Sequence, residues 1–429
     1  MNVRMFWRHA FAALCCMQLN AHAQTSRSGD TTTLSLTDVE KRFIDSNFQL
    51  LAAHYNVDAQ KALIQQAKVW DNPVLNTDQV IHANGKFFPY GKNPDGTYNG
   101  QYFIQVQQLI KTAGKRGKLI NLASTNAKLS EWQLQDLLRN LRAQLHSDYY
   151  TLSQQLADRN ILLSQQDQLK HLLTAMQGQL NAGNIAQKEY LRIQALLITL
   201  QQDLTELDKN ITDTQSDLKT LLQMKDDVFI KPAIESAGAT SVTENFDALV
   251  QMAKQNNPSY LLQQTQVVYQ QQSLSYQKSL RSPDITLGPN FDRNSNYAPN
   301  YVGLGISLPL PVFDKNKGNI KAAEFNVKQQ QALVQDAETN LYQDVNSAYK
   351  KLLLTIQQNN GAQQDFYIRY KDMYQNMLKS YQQKQINLLE FLDFFNDYTA
   401  LQQRLNQQQL NLQLAKDELN YQVGIDVIK

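Results

Sequence analysis

The sequence has 429 residues, of which 42% are hydrophobic and 19% are charged, with 41 basic side chains (Lys and Arg) against 39 acidic ones. The hydrophobic content is too high for a disordered chain, and no stretch after residue 23 reaches the roughly 18–20 uncharged apolar residues of a membrane-spanning helix. The nearly balanced charge gives no reason to expect nucleic acid as a partner.

Residues 1–23 are predicted to be a secretory signal peptide. Arg4 and Arg8 precede an apolar stretch, and residues 21–23 form the A-x-A pattern of a cleavage site. Removing this segment lowers the basic count from 41 to 41 − 2 = 39, which equals the 39 acidic residues. The mature chain therefore has no net charge.

Both cysteines of the sequence, Cys15 and Cys16, lie in this signal segment. Lipidation of one of them is an alternative to simple cleavage, although the preceding residue, Leu14 or Cys15, is not the small residue normally found there. Residues 24–429 contain no cysteine. We therefore expect an exported protein that has no disulfide and no thiol chemistry.

The mature chain is predicted to be a duplication, with one copy at residues 24–222, a linker at 223–245 and a second copy at 246–429. The matched pairs are Asn47 with Asn257, Pro73 with Pro283, Ile185 with Ile386 and Leu191 with Leu392. Each copy is predicted to contain a helix of about 30 residues, two strands and two much longer helices. A period of about 200 residues is too long for a solenoid of short repeats.

The predicted strands alternate with a period of two. In the last strand one face is apolar and the other has small or polar residues. The apolar residues are Val302, Leu304, Ile306, Leu308 and Leu310. Such alternation is typical of a transmembrane β-strand, so these five side chains are predicted to face lipid. An ordinary soluble hairpin is the alternative that alternation leaves open.

The other strands follow the same pattern less regularly. The first, residues 74–83, is the weakest because polar residues occupy both of its faces. Turns are predicted at residues 93–96 and 294–300. Each copy therefore contributes one pair of strands.

Two long helices are predicted in the first copy. Residues 113–177 contain no proline, which at about 1.5 Å per residue would make a helix of about 95 Å. The returning helix, residues 185–224, has apolar residues at alternating steps of three and four, as in a coiled coil. The seam residues are Leu197, Leu200, Leu204, Leu207, Ile211, Thr214, Leu218 and Leu221. The other faces are rich in glutamine and asparagine, which fits either a water-filled channel or an ordinary solvated hairpin.

Four strands are too few to close a membrane barrel, and an open sheet edge is not tolerated in lipid. Known single-chain membrane barrels begin at about eight strands. If these strands span a membrane, several copies must therefore combine them, and three copies would supply twelve. The same three copies would place their long helices side by side as a tube.

At this point the sequence resembles the TolC-like outer-membrane efflux channels, especially their heavy-metal-cation branch. The most specific match is residues 303–320, GLGISLPLPVFDKNKGNI, and weaker matches are the Asn-Pro pairs at residues 72–73 and 257–258. The resemblance covers residues 36–425. It implies a mostly α-helical protein whose duplicated long-helix hairpins form an α-barrel, with four strands per protomer in a 12-stranded trimeric β-barrel.

The resemblance also implies a function and partners. It implies a passive export duct, located in the outer membrane with its helical part in the periplasm. Its partners would be two further copies of the chain, a periplasmic adaptor (membrane fusion) protein, an inner-membrane efflux pump and outer-membrane lipid. No cofactor, metal or catalytic residue is implied, and the exported substrate is not revealed.

The family's periplasmic gate corresponds to residues 381–393 of this sequence. The resemblance assigns Tyr381, Glu390 and Asp393 to it, and three protomers would supply two rings of carboxylates that attract cations. Solvated helix residues are the alternative for both acids. Ile386 stands where some members have an arginine, which puts a gate-locking salt bridge in doubt.

The two hairpin turns correspond to the family's adaptor-docking tips. The first turn contains Gly183 and Asn184, and the second contains Lys384 and Gln385. Lys384 departs from the glycine that is common at the second turn. These four residues are predicted to contact an adaptor.

A search for chemistry in the mature sequence finds no recognisable site. Its histidines, His54, His82, His146 and His171, have no metal-ligand spacing with one another. Neither a phosphate loop nor a hydrolase motif is present. A periplasmic coiled-coil adaptor or scaffold therefore remains the main alternative to a duct. An enzyme built on a helical scaffold is a third hypothesis, but the sequence contains no group of residues that would support it.

Overall fold

The computed structural model describes residues 30–233, 242–359 and 362–428. The predicted signal peptide and both cysteines lie outside these ranges. Within them, nine helices and ten strands are present. The helices are α1 Leu36–Ser46, α2 Phe48–Lys68, α3 Lys115–Asn181, α4 Gln187–Leu221, α5 Phe246–Asn256, α6 Pro258–Ser279, α7 Lys317–Gln358, α8 Ala362–Gln382 and α9 Leu388–Val423.

The strands differ greatly in length. Those of the main sheet are β2 Val74–Gln79, β7 Tyr102–Ile110, β9 Ile285–Asn294 and β10 Pro299–Ser307. A separate parallel pair is β1 Thr31–Leu34 with β8 Phe229–Pro232, and two small hairpins are β3 His82–Ala83 with β4 Lys86–Phe87 and β5 Gly91–Lys92 with β6 Tyr98–Asn99. β8 lies inside the segment that the sequence predicts as a linker.

The predicted helices of about 30 residues are wrong as continuous helices, because an asparagine divides each of them. Asn47 separates α1 from α2, and Asn257 separates α5 from α6. Each Oδ1 accepts hydrogen bonds from first-turn N–H groups of the following helix, which caps it. Each Nδ2 donates to the end of a distant helix, Asn47 to Leu221 O (3.0 Å) and Asn257 to Gln422 O (2.9 Å). Both side chains are buried, so each joins three helix ends.

The main sheet is antiparallel throughout, in the order β10-β9-β7-β2. On one face, Val302 lies beside Phe291, which lies beside Ile104. This face is apolar and exposed, with Val302 75%, Leu304 62% and Ile306 67% accessible. The predicted alternation is therefore confirmed for β9 and β10, although β10 ends at Ser307 and the exposed residues Leu308 and Leu310 follow it.

The opposite face of the sheet is polar or small. Gly303 lies beside Asn290, which lies beside Gln105 and then Asn76. Gln105 Nε2 donates to Gly288 O (3.2 Å), and a Cβ added at Gly288 would lie 2.9 Å from that same nitrogen. The glycines therefore leave room for an amide-lined face.

The weak first strand and the predicted turn are also present in the structure. β2 ends at Gln79 instead of residue 83, and its polar residues lie on both faces as predicted: Asn76 pairs with Gln105 on the polar face, whereas Thr77 pairs with Ile104 on the apolar face. The turn at residues 93–96 closes with Gly96 N–H donating to Asn93 O (2.9 Å). It caps the small β5–β6 hairpin and does not join β2 directly to β7.

The long helices pair as predicted. α3 has 67 residues, or about 100 Å at 1.5 Å per residue, and α4 runs back along it. All eight seam residues of α4 are buried or half-buried, which confirms the heptad pattern. No helix among the described residues is long and apolar enough to cross a membrane.

The buried side chains form three clusters. One joins α1, α2, α3, α4 and β8 around Phe43, Leu152 and Leu218. A second joins α5, α6, α7 and α9 around Leu249 and Leu352. The third joins the ends of α3, α4, α8 and α9.

Candidate functional site

The two helical hairpins end in turns of the same geometry. In the α3–α4 turn, Gly183 has φ +72° and the N–H of Asn184 donates to the carbonyl five residues earlier (2.9 Å). In the α8–α9 turn, Lys384 has φ +60° and the N–H of Gln385 makes the equivalent bond (2.8 Å). Both turns are Schellman motifs, which favour glycine at the left-handed position. Lysine adopts that conformation at a steric cost.

The third buried cluster brings both turns to the same end of the molecule. Met176 and Ile193 of the first hairpin pack in one cluster with Tyr374 and Phe391 of the second. This end is the one remote from the sheet, because α3 begins near the sheet and ends at Asn181. The structure thus brings the predicted gate and the predicted docking turns together.

Tyr381 is part of the packing between the two hairpins. Its ring stacks on Phe391 with centroids 4.9 Å apart and an interplanar angle of 13°. Its hydroxyl lies 3.9 Å from the Met176 sulfur of α3. Burial raises the pKa of Tyr381, and the nearby Glu189 adds to the effect. Tyr381 therefore holds the end of α8 against α3 of its own chain.

Glu390 and Asp393 lie one turn apart on the first two turns of α9, and both are exposed. The Asn387 side chain caps this helix by accepting the Glu390 N–H (3.0 Å). Asp397, four residues after Asp393, continues the same stripe. None of the three carboxylates has an ion-pair partner in the described parts of the chain. The sequence analysis missed Asp397, although its spacing from Glu390 and Asp393 is a helical one.

The acidic stripe faces away from α3. The opposite side of α9 is hydrogen-bonded to α3. Gln165 Nε2 of α3 donates to Thr399 Oγ1 (2.6 Å), and Asn406 Nδ2 of α9 donates to Asp158 Oδ1 (2.6 Å). Both α3 side chains are buried. Burial raises the pKa of the Asp158 carboxyl, against the hydrogen bond from Asn406. α3 and α9 thus meet through buried polar groups.

Further along this interface lies a charged cluster. His146 Nε2 lies 2.7 Å from Glu40 Oε1, and His146 Nδ1 lies 3.2 Å from Asp417 Oδ2. Arg142 joins Glu40 (2.7 Å) to Asp426 (3.0 Å). The cluster links α1, α3, α9 and the segment after α9. Its members are remote in sequence, so no local signal identifies it.

The cluster keeps its groups charged. Burial opposes the imidazolium, but hydrogen bonds and Coulomb attraction from Asp417 and Glu40 outweigh it and raise the pKa of His146 to about 9. The hydrogen bond from His146, with Arg142 adding to it and burial opposing it, lowers the pKa of Glu40 to about 2. The two ring nitrogens face different carboxylates, so the arrangement is an ion-pair network. The described residues contain no group of three or more potential metal ligands.

Comparison with known proteins identifies the family. The family model described as outer membrane efflux protein matches residues 41–222 and 249–424, which is most of the sequence. The chain belongs to the outer membrane efflux protein family. Membership confirms the resemblance seen in the sequence, and the description of the family agrees with the expected outer-membrane location and efflux role. It does not fit the adaptor alternative.

Individual relatives are distant in sequence but similar in fold. The cobalt-zinc-cadmium resistance protein CzcC of Cupriavidus metallidurans is 23% identical over 282 residues, 65% of this chain. The chain spans 63% of the length of that curated relative. Crystal structures of CusC, described in terms of folding and transmembrane channel formation, match with a TM-score of 0.74 at 15% identity, covering 91% of this chain and 92% of that one. The Campylobacter jejuni CmeC outer membrane channel matches with a TM-score of 0.74 at 13% identity, covering 91% and 85%. These structures support the helix-rich fold of TolC-like channels.

Proposed function

We propose that three copies of this chain form a passive efflux duct, with a shared β-barrel in the outer membrane and a helical tube in the periplasm. One observation carries this proposal. The four-stranded sheet has an exposed apolar face and, in the described ranges, neither β10 nor β2 has a second neighbour. An isolated sheet of this kind is unstable both in water and in lipid.

The strand directions suit closure by further copies. All three pairings in the sheet are antiparallel, so its two edge strands, β10 and β2, run in opposite directions. The β10 edge of one copy can therefore pair antiparallel with the β2 edge of the next. Three copies make twelve strands, with the apolar face toward lipid and the amide-lined face toward the lumen.

The helices support the same assembly. α6 packs between α3 and α7, whereas α2, its counterpart in the predicted duplication, packs mainly against α3. The open side of α2 exposes Phe48 at 62% and Tyr55 at 65%. α3 packs against both α2 and α6. In the described ranges α7 packs against α6 but has no helix in the position that α2 takes beside α3, and it exposes Phe325. In the proposed trimer, α2 of one copy packs against α7 of the next.

The duplication itself is part of the proposal, with copies at residues 24–222 and 246–429 around the linker 223–245. The paired clamps support it. Asn47 bonds residue 221 at the end of α4, and Asn257 bonds residue 422 near the end of α9, so the same contact with the end of a returning helix occurs once in each copy. The two-part family match spans the same two regions.

We propose that the acidic stripe lines the periplasmic entrance. Three copies would present nine carboxylates from Glu390, Asp393 and Asp397, which would raise the local concentration of cations. Tyr381 would control this entrance indirectly, because its stacking on Phe391 fixes the ring within the second hairpin and its contact with Met176 holds that hairpin against the first. Dilation would require these contacts to break in favour of another set.

We propose that Gly183, Asn184, Lys384 and Gln385 receive a periplasmic adaptor, which in turn joins an inner-membrane pump that supplies the energy. Both turns lie at the end of the tube remote from the sheet, and their exposed backbone is available to a partner. The name of the Cupriavidus metallidurans relative favours divalent metal cations as cargo. The duct would contact such cargo weakly and perform no chemistry on it.

The assembly is tested by the native mass of the protein extracted in detergent from outer-membrane fractions. We expect a species of three chains that forms ion-conducting pores in a planar lipid bilayer. A monomer in the soluble periplasmic fraction would contradict the proposal.

The entrance is tested by conductance of the variant Glu390→Ala/Asp393→Ala. We expect reduced cation preference, because six of the nine entrance carboxylates are removed from the trimer. The variant Asp203→Ala/Asp213→Ala removes the same charge from exposed positions of α4 and should conduct like the wild type. Equal selectivity of all three proteins would reject this location for the gate.

A further inference from the structure

A polar cavity lies where the helices meet the sheet. Its volume is about 480 Å³, and it is open to the surface between the beginning of α3 and the end of α6. Its polar lining consists of Lys118, Gln271, Ser275, Lys278, Ser279 and Ser282. Two ammonium groups face it and no acidic residue is in its lining. Neither the duct nor its gate gives this cavity a role.

The surroundings of the cavity do not neutralise its charge. Among the described residues, the hydrogen-bond acceptor of Lys118 Nζ is a neutral group, the Ala113 carbonyl (3.2 Å). Asp284, which directly precedes β9, accepts from Lys115 Nζ (2.7 Å) and from the N–H of Thr112 (2.9 Å). The cavity therefore has a formal charge of +2 from Lys118 and Lys278 alone.

The helix end adds to the same potential. α3 begins beside the cavity after Gly114, with no side-chain cap and no acidic residue in its first turn. The positive end of its dipole is therefore not compensated locally. Lysines, serine hydroxyls and a helix N-terminus together form the donor set that proteins use for phosphate groups.

An apolar surface adjoins this cavity. Leu280, next to Ser279, is exposed, and so are Val312 and Phe313. The segment containing Phe313 passes close to the end of α6, because Asn316 Nδ2 donates to Gln277 O (2.8 Å). A ligand with its anionic group in the cavity could thus lay apolar chains on protein surface that continues into the lipid-facing side of the sheet.

We propose that this cavity binds the phosphate of an anionic phospholipid in the periplasmic leaflet of the outer membrane. The phosphate accepts hydrogen bonds from Lys118, Lys278 and the hydroxyls of Ser275 and Ser282, while the acyl chains lie along the sheet; the Ser279 hydroxyl is already donated to Tyr276 O (2.6 Å). The lipid source rests on the proposed position of the sheet in the membrane. The anion chemistry of the cavity does not.

The test uses the full chain in neutral detergent, titrated separately with phosphatidylglycerol, phosphatidylcholine and inorganic phosphate. Native mass spectrometry counts the bound molecules. We expect phosphatidylglycerol to bind more tightly than phosphatidylcholine, and the variant Lys118→Gln/Lys278→Gln to weaken it by about tenfold or more, since two charge-assisted contacts are lost. The variant Lys118→Arg/Lys278→Arg should retain binding.

The matched control is Lys315→Gln/Lys317→Gln, which removes the same charge from exposed positions nearby that do not line the cavity. Its affinity for phosphatidylglycerol should stay close to that of the wild type. Equal losses in the cavity and control variants would overturn the proposal, and so would unchanged affinity of the cavity variant. Tight binding of inorganic phosphate that displaces the lipid would overturn the lipid source and assign a free-phosphate site.

The native mass measured before lipid is added separates this inference from the proposed duct. A trimer without lysine-dependent lipid binding would overturn only the cavity assignment. A monomer that still binds phosphatidylglycerol through the two lysines would overturn only the duct. The trimer mass of the cavity variant also reports whether that variant is folded.

Discussion

Two of the interfaces of α3, those with α4 and with α9, differ in chemistry. Against α4, it packs an apolar seam in which Leu145, Leu152 and Leu218 are fully buried. Against α9, it contributes to the third apolar cluster near the turns and also presents Asp158 and Gln165, which are buried and hydrogen-bonded to α9. The first interface lies within a hairpin, and the second lies between hairpins.

This difference matters for a duct that must open. Disturbing the close packing of an apolar seam costs stabilising free energy, because apolar contacts are lost and cavities open. Hydrogen-bonded pairs such as Asn406 with Asp158 can exchange partners with water or with each other when helices slide. We infer that each hairpin moves as a unit and that the polar interface is where motion occurs.

The largest effect is expected from the apolar seam. Leu218→Ala should lower the free energy of unfolding by about 2–5 kcal/mol, because it leaves a cavity among side chains that cannot close around it. Chemical denaturation followed by circular dichroism measures the change. A loss below about 1 kcal/mol would mean that the hairpin is not held together by this seam.

The charged cluster of the polar interface should make stability depend on pH. The pKa of His146, raised to about 9 in the folded state, lies above its unfolded value of about 6.5. Its contribution is therefore complete below the unfolded pKa and is lost as the pH rises through the folded one. On this basis His146→Gln should cost on the order of 2–3 kcal/mol at low pH and progressively less toward alkaline pH.

The control for this prediction is His171→Gln. His171 is exposed and pairs only with Asp167 (3.5 Å) on its own helix. Its effect should be small and nearly independent of pH. A difference between wild type and His146→Gln that stays constant across the pH range would contradict the ion-pair assignment.

Variants of Asp158 and Asn406 test whether the contact between α3 and α9 needs a hydrogen bond or a negative charge. Asn406→Ala should cost about 1–3 kcal/mol, because it removes a hydrogen bond from a buried carboxylate. Asp158→Asn removes the buried charge and retains an acceptor for Asn406, while the Gln154 amide that donates to the other carboxylate oxygen can turn its own oxygen toward the new amide. We therefore expect a change of less than about 1 kcal/mol. Thermal unfolding of both variants at neutral pH measures the difference. Equal large losses would show that the carboxylate charge itself holds the hairpins together.

The smallest effect is expected at the two turns. Lys384→Gly should stabilise the protein by up to about 1 kcal/mol, because glycine adopts the left-handed conformation without strain, and Gly183→Ala should cost a similar amount. Gln223, at the other end of α4, has φ +52° and serves as a control outside the turns. Gln223→Gly should also stabilise without altering adaptor binding. A destabilising Lys384→Gly would show that the lysine side chain holds the turn.

Periodicity alone predicted much of this architecture. The heptad of α4 predicted its buried face, and alternation in β10 predicted which of its side chains are exposed on the apolar face. Both patterns repeat along the element, so the element and its face follow from local sequence. The strand pattern did not reveal that β10 ends at Ser307, because strand ends depend on pairing with β9.

Tertiary structure decided what local pattern could not. Asn47 and Asn257 looked like helix residues, yet each ends one helix because its side chain caps the next and reaches a helix end far away in sequence. His146 acquires its charged partners from α1 and α9. The sequence determined the elements and their apolar faces because these depend on neighbouring residues. The clamps, the charged cluster and the lysine-lined cavity depend on contacts between distant segments, so only the folded chain creates them.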